Sequence, residues 1–170
     1  MKILLVDDSE DIRFLIQMTL RAGGYEDVIT ATSAMEAYSI LGMEGGQPPH
    51  VAGGIDLILM DIIMPEINGI EACKRIKERK EYRETPIIMV TAKKDTKDLE
   101  AAFDAGANDY IIKPINRIEL MARIRSAMRL KEETDRRKAH ERELEEKNRE
   151  LEKALKEIEE FNRTPFSPDE

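Results

Sequence analysis

The sequence predicts an α/β fold: a five-stranded parallel sheet, doubly wound, whose last helix runs on into a long coiled coil. Three observations carry this. Five short runs (Ile3-Leu4-Leu5-Val6, Val28-Ile29-Thr30-Ala31, Leu57-Ile58-Leu59-Met60, Ile87-Ile88-Met89-Val90 and Tyr110-Ile111-Ile112) are apolar almost throughout rather than alternating. That is the pattern of strands covered on both faces. Between them lie segments with apolar residues three or four apart, such as Ile12, Leu15, Ile16 and Leu20, or Ile67, Ile70, Cys73 and Ile76, the period of amphipathic helices. After Ile124 glycine disappears, proline is absent until Pro165, and Glu, Lys and Arg alternate.

Each element has local signals. Ser9, Ser33 and Asn68 precede helical segments as N-caps, and Gly23-Gly24 and Gly106 follow them as C-caps. The segment from Gly42 to Gly54 is long for a helix–strand connection, and its glycines and prolines forbid regular structure. It is expected to be a surface insertion, a partner-binding loop being the alternative. The expected organisation is a globular domain over 1–125, a pairing helix over 126–162 and a disordered tail over 163–170. The last helix is expected to start near Asn116 and end near Phe161.

That helix carries a heptad seam. Leu130, Leu144, Leu151 and Ile158 fall at multiples of seven, Leu155 fills the intervening position, and Asn148 lies in the same seam. A seam Asn fixes register and favours two strands. Thr134, Arg137 and Glu141 make the first half of the seam poor. A helix this long and charged is marginal alone, so pairing with a second copy is expected.

Composition narrows the function. Hydrophobic residues form 41% of the 170 positions, enough for one core, and the formal net charge of −8 argues against direct nucleic-acid binding. No apolar run approaches the roughly 20 residues of a membrane span. No signal peptide is expected, and a single cysteine, Cys73, allows no internal disulfide; a reduced, cytoplasmic setting is the expectation. Cys73 is read as a small buried helix residue, and His50 and His140 as solvent-exposed.

The chemistry gathers at the strand ends. The first strand ends in Asp7-Asp8, the third in Asp61, the fourth in Thr91 and the fifth in Lys113-Pro114. In a parallel sheet these ends share one edge, so they converge. Crowded carboxylates repel unless a cation sits among them. Oxygen-only ligands point to a hard ion such as Mg²⁺. A carboxylate, a divalent ion, an ammonium and a hydroxyl are what phosphoryl transfer to an aspartate needs. Taken alone, Asp8 could be a helix cap, Thr91 a plain strand-end hydroxyl and Tyr110 a core aromatic.

In this order the residues resemble the receiver domains of two-component response regulators. The resemblance covers residues 1 to about 125. It rests on Val6-Asp7-Asp8, Leu59-Met60-Asp61-Ile62-Ile63-Met64-Pro65-Glu66-Ile67-Asn68-Gly69, Val90-Thr91-Ala92 and Tyr110-Ile111-Ile112-Lys113-Pro114. It implies a CheY-like fold with Asp61 as acceptor of a phosphoryl group from a sensor histidine kinase or phosphotransfer protein. It implies Asp7, Asp8, Asp61 and the Ile63 carbonyl as ligands of Mg²⁺ (or Mn²⁺), and Thr91, Ala92 and Lys113 around the phosphoryl group. Tyr110 would be the aromatic switch, and the Lys113–Pro114 bond cis. Asn68 departs from the family's usual Asp; Ile63 and Lys93 flank the reaction site. A metal-dependent phosphohydrolase is disfavoured, since Ile63 stands where such enzymes carry a second Asp and no segment could form a cap.

Receivers followed by a charged helix often lead into diguanylate cyclase or serine/threonine phosphatase domains, so the sequence reads as a truncated regulator of that kind. A stand-alone adaptor or scaffold dimer is the alternative.

Overall fold

A computed structural model describes residues 1–43, 54–92 and 95–163. Most of the Gly/Pro segment, with His50, and also Lys93 and residues 164–170 lie outside the described residues; Arg163, expected to open the tail, is instead the last residue of the final helix. The elements alternate: β1 (Lys2–Val6), α1 (Glu10–Ala22), β2 (Asp27–Ala31), α2 (Ala34–Ile40), β3 (Leu57–Asp61), α3 (Gly69–Glu78), β4 (Ile87–Thr91), α4 (Thr96–Asp104), β5 (Asp109–Ile112) and α5 (Arg117–Arg163). All strand pairs are parallel, in the order β2-β1-β3-β4-β5. This is the doubly wound sheet the apolar runs predict.

Strand geometry sends successive side chains to opposite faces, and two cores result. Leu4, Val6, Ile58, Met60, Ile87 and Met89 face α2, α3 and α4, where Tyr38, Ala72 and Ile76 meet them. Ile3, Leu5, Leu57, Leu59, Ile88 and Val90 face α1 and α5, against Ile16, Leu20, Leu120 and Ile124. β1, β3 and β4 are thus buried on both faces. β2 differs: Val28, Ile29 and Thr30 are only half-buried, because an edge strand has one neighbour.

Ser9, Ser33 and Asn68 cap α1, α2 and α3 by accepting from Ile12, Glu36 and Glu71 N–H groups. α5 opens one residue later than predicted, because Asn116 acts as its cap and accepts from the Ile118 and Glu119 N–H groups. Gly106 follows the Ala105 cap of α4 at φ +97, a conformation that favours glycine. Cys73 is buried, as expected.

A polar network ties the end of the sheet opposite the carboxyl edge. Lys77 of α3 donates to the carbonyls of Arg83 and Thr85, at 3.2 and 2.7 Å, and to Asn108 Oδ1 at 3.3 Å. The same oxygen accepts from Ile87 N–H at 2.9 Å. The entries to β4 and β5 are therefore bound to one another through a single ammonium and amide.

Contacts define one compact unit, Met1–Lys131, and a second beginning at Glu132. Within the first, α5 buries Leu120, Met121, Ile124 and Met128. Within the second, the described side chains from Glu141 to Glu160 are all exposed. Among the described residues no helix is long and apolar enough to cross a membrane.

Gly69 fixes how α3 meets the end of β3. A Cβ there would lie 2.0 Å from the Asp61 carbonyl oxygen, while the Gly69 N–H donates to the Ile62 carbonyl. Both neighbours are backbone and cannot step aside. Gly69→Ala is expected to lower unfolding free energy by about 3 kcal/mol, the upper end of overpacking costs. Urea denaturation measures it; a variant as stable as the parent would show that the β3–α3 turn yields freely.

Candidate functional site

The parallel register builds the site. Val6 lies opposite Met60, Asp61 opposite Val90, and Thr91 opposite Ile112. The next residues along β1 and β5, Asp7 and Lys113, therefore emerge at the same edge as Asp61 and Thr91. Lys113 also donates its backbone N–H to the Thr91 carbonyl at 2.8 Å, joining the ends of β4 and β5.

The Lys113 ammonium holds two acids at once. Its Nζ donates to Asp61 Oδ2 at 2.6 Å and to Asp7 Oδ2 at 2.8 Å. The second oxygen of each acid takes a backbone donor two residues on: Ser9 N–H to Asp7 Oδ1 at 2.9 Å, and Ile63 N–H to Asp61 Oδ1 at 3.1 Å. Asp7 is fully buried and Asp61 nearly so. Asp8 is exposed, and Ser9 rather than Asp8 caps α1, so the plain capping reading of Asp8 is set aside. Oxygens of Asp7, Asp8 and Asp61 all lie within 4.8 Å of one another.

Burial raises the Asp61 carboxyl above its ordinary value, against the opposing pull of Lys113 and the Ile63 N–H, and the Asp7 charge adds to the rise. Burial also works against the Lys113 charge, but its hydrogen bonds to Asp61 and Asp7 outweigh that and raise its pKa. Three carboxylates facing one ammonium leave an excess of negative charge. An oxygen-rich, anionic cluster with one exposed member suits a hard divalent cation that keeps part of its water. The donor set therefore fits the ion that the sequence implies.

The other named residues fall around this centre. Thr91 is fully buried at the end of β4, and Ala92 beside it is exposed. The Ile63 side chain is exposed. The Lys113–Pro114 bond is cis. Tyr110 is half-buried, with the Phe103 ring edge-on at 5.9 Å and the Arg123 guanidinium 5.6 Å from its ring centre. Arg123 is held by Asp109 and Glu119, so Tyr110 sits among α4, β5 and α5.

Sequence reasoning missed three contributors. Arg13 of α1 reaches back to donate to the Asp7 carbonyl at 2.6 Å. Glu66 has φ +66, the one positive value at a non-glycine among the described residues. Ile67 N–H bonds the Pro65 carbonyl across it at 2.8 Å, a tight three-residue turn that carries strain. Gly69 is the third, and a glycine at the first position of a helix was the available signal.

Comparison with known proteins bears on this geometry. Residues 3–125 match the family described as the response regulator receiver domain. The response regulator ArlR of Staphylococcus saprophyticus is 38% identical over 128 residues, which is 75% of this chain and 52% of that protein. The transcriptional regulatory protein YvrH of Bacillus subtilis is 38% identical over 127 residues, 75% of this chain and 48% of that one. This chain thus aligns with about half the length of these relatives. Among solved structures, a putative response regulator from Chloroflexus aurantiacus is 31% identical with a TM-score of 0.66, covering 75% of this chain and 96% of that one. Chemotaxis protein CheY4 of Vibrio cholerae is 29% identical with a TM-score of 0.65, covering 74% and 97%. Five parallel strands in this order, acids at their carboxyl edge and a family match over most of the chain agree: this protein belongs to the response regulator receiver domain family, with a CheY-like fold.

Proposed function

We propose that Asp61 accepts a phosphoryl group from a histidine kinase or phosphotransfer protein, and that the change passes through Thr91 and Tyr110 into α5. One observation carries the reading: Lys113 bridges Asp7 and Asp61 while Asp8 stands exposed beside them. A buried acid is a poor nucleophile unless charge around it is balanced as the reaction proceeds. Asp7, Asp8, Asp61 and the Ile63 carbonyl would hold Mg²⁺ or Mn²⁺, which when bound offsets charge on the transferring oxygens.

The chain's own residues account for the remaining steps. An Asp61 oxygen forms the new O–P bond as the P–N bond to the donor imidazole breaks, and the donor nitrogen keeps the bonding pair. Asp61 gives up its Oδ2 contact with Lys113, whose ammonium is then available to a phosphoryl oxygen while Asp7 still positions it. Ile63 N–H keeps the other carboxylate oxygen in place. The Thr91 hydroxyl, with Ala92 beside it, is suited to bond the phosphoryl group, drawing on β4. Tyr110, only half-buried between Phe103 and Arg123, has room to respond. α5 would convey the change to an output domain or partner and pair with a second copy. A diguanylate cyclase or serine/threonine phosphatase regulator is the output we favour, with a stand-alone adaptor or scaffold dimer as the second possibility, and a cytoplasmic location goes with either.

Three experiments test this. Acetyl phosphate with Mg²⁺ should label the parent chain and leave Asp61→Asn unlabelled; equal labelling would remove Asp61 from the role. Asp8→Ala should weaken Mg²⁺ binding at least about tenfold, the loss expected even of an outer partner; calorimetric titration reads it, and unchanged affinity would take Asp8 out of the ligand set. Thr91→Ala should label comparably to the parent, yet lose the shift of the Tyr110 amide resonance that beryllofluoride induces. A normal shift would mean that coupling runs elsewhere.

A further inference from the structure

The pairing of α5 proposed above gains an orientation from the exposed part of the helix; the inference rests on that pairing and not on the phosphoacceptor assignment. α5 is unbroken from Arg117 to Arg163. Beyond the compact unit it exposes Leu144 (48%), Leu151 (62%), Leu155 (59%) and Ile158 (58%). Four large apolar side chains on one stripe of a highly charged helix are unfavourable in water. Their spacing, alternately three and four with Asn148 between Leu144 and Leu151, is that of the core positions of a two-helix seam.

We infer that this stripe docks on its own copy as a parallel, in-register, two-stranded coiled coil. Two features decide against the antiparallel alternative. In a parallel pair each core residue meets itself, so Leu144, Leu151, Leu155 and Ile158 form uniform apolar layers and the two Asn148 amides can bond one another. In an antiparallel pair the two kinds of core position face each other. Asn148 then never meets Asn148, and in the register that best matches the leucines it faces Leu151. A buried amide opposite an alkyl group loses its partner.

Charge is the second feature. Along a parallel seam a flanking residue faces the one five positions later on the other chain. That places Glu133 beside Lys138, and Lys147 beside Glu152, of the second copy, with His140 beside Glu145. The antiparallel register sets Glu145 against Glu152 twice instead. Lys147 also bonds Glu143 within its own helix at 2.7 Å, so its cross-chain share is partial. The seam is strong from Leu144 to Ile158 and weak at Arg137 and Glu141, which would meet their own like charges; pairing therefore starts distally.

The full-length chain tests this by sedimentation and by oxidative cross-linking of Leu144→Cys, with the parent controlling for buried Cys73. The expected results are a dimer, a disulfide-linked Leu144→Cys dimer, and Glu152→Lys raising the dimer dissociation constant about tenfold through like-charge pairs. Glu157→Lys, on the outward face, controls for the charge change itself and should leave the constant unchanged. A monomeric parent would overturn the pairing itself. A dimer that Glu152→Lys tightens, and that Leu144→Cys does not cross-link, would overturn the orientation alone. A trimer or tetramer would overturn the two-stranded state.

Discussion

Parallel pairing is the constraint from which the rest follows. Because every strand runs the same way, each apolar run delivers its last residue to the same edge. Asp7 and Lys113, 106 positions apart in sequence, meet there at 2.8 Å. An antiparallel β5 would put Lys113 at the other end of the sheet. The dryness of the site has the same origin: strands covered on both faces bury Asp7 and Asp61 right up to the edge, and a buried charge must be answered locally. Lys113 answers two such charges, which couples the ends of β1, β3 and β5 through one ammonium.

That arrangement divides the acids by task. Asp7 has each carboxylate oxygen engaged, one by Lys113 and one by the Ser9 N–H, and Arg13 fixes its carbonyl as well. It is the most constrained member of the cluster. Asp8, in the bend beyond β1, is exposed yet keeps a carboxylate oxygen within 4.8 Å of those of the other two. Asp61 lies between these extremes, with its turn braced by Gly69 against backbone on one side and by the strained Glu66 on the other.

Most of the fold was legible because its determinants are local. Double burial writes itself as unbroken apolar runs, and caps as single Ser or Asn residues before a helix. The edge position of β2 was not legible: Val28, Ile29 and Thr30 read like the central strands, since how many neighbours a strand has is decided by topology and not by its own residues. The site was legible in its charged members, for an acid or lysine ending an apolar strand stands out. Arg13 was not, and Glu66 and Gly69 stood in the motif around Asp61 without a part assigned, because what these three do depends on backbone brought near or bent by folding. Tyr110 was readable as an aromatic at the right place, whereas Phe103 and Arg123 around it come from helices whose docking had first to be known.

The Lys77–Asn108 network at the opposite end of the sheet has a mechanical meaning. It pins the starts of β4 and β5 to α3 through Lys77 Nζ, Asn108 Oδ1 and the Ile87 N–H. The far ends of these same two strands carry Thr91 and Lys113, where the Lys113 N–H bonds the Thr91 carbonyl. The root of this strand pair is thus held by side-chain bonds in addition to the ladder, whereas the connections to α4 and α5 leave from the opposite ends, beside the acids and Lys113.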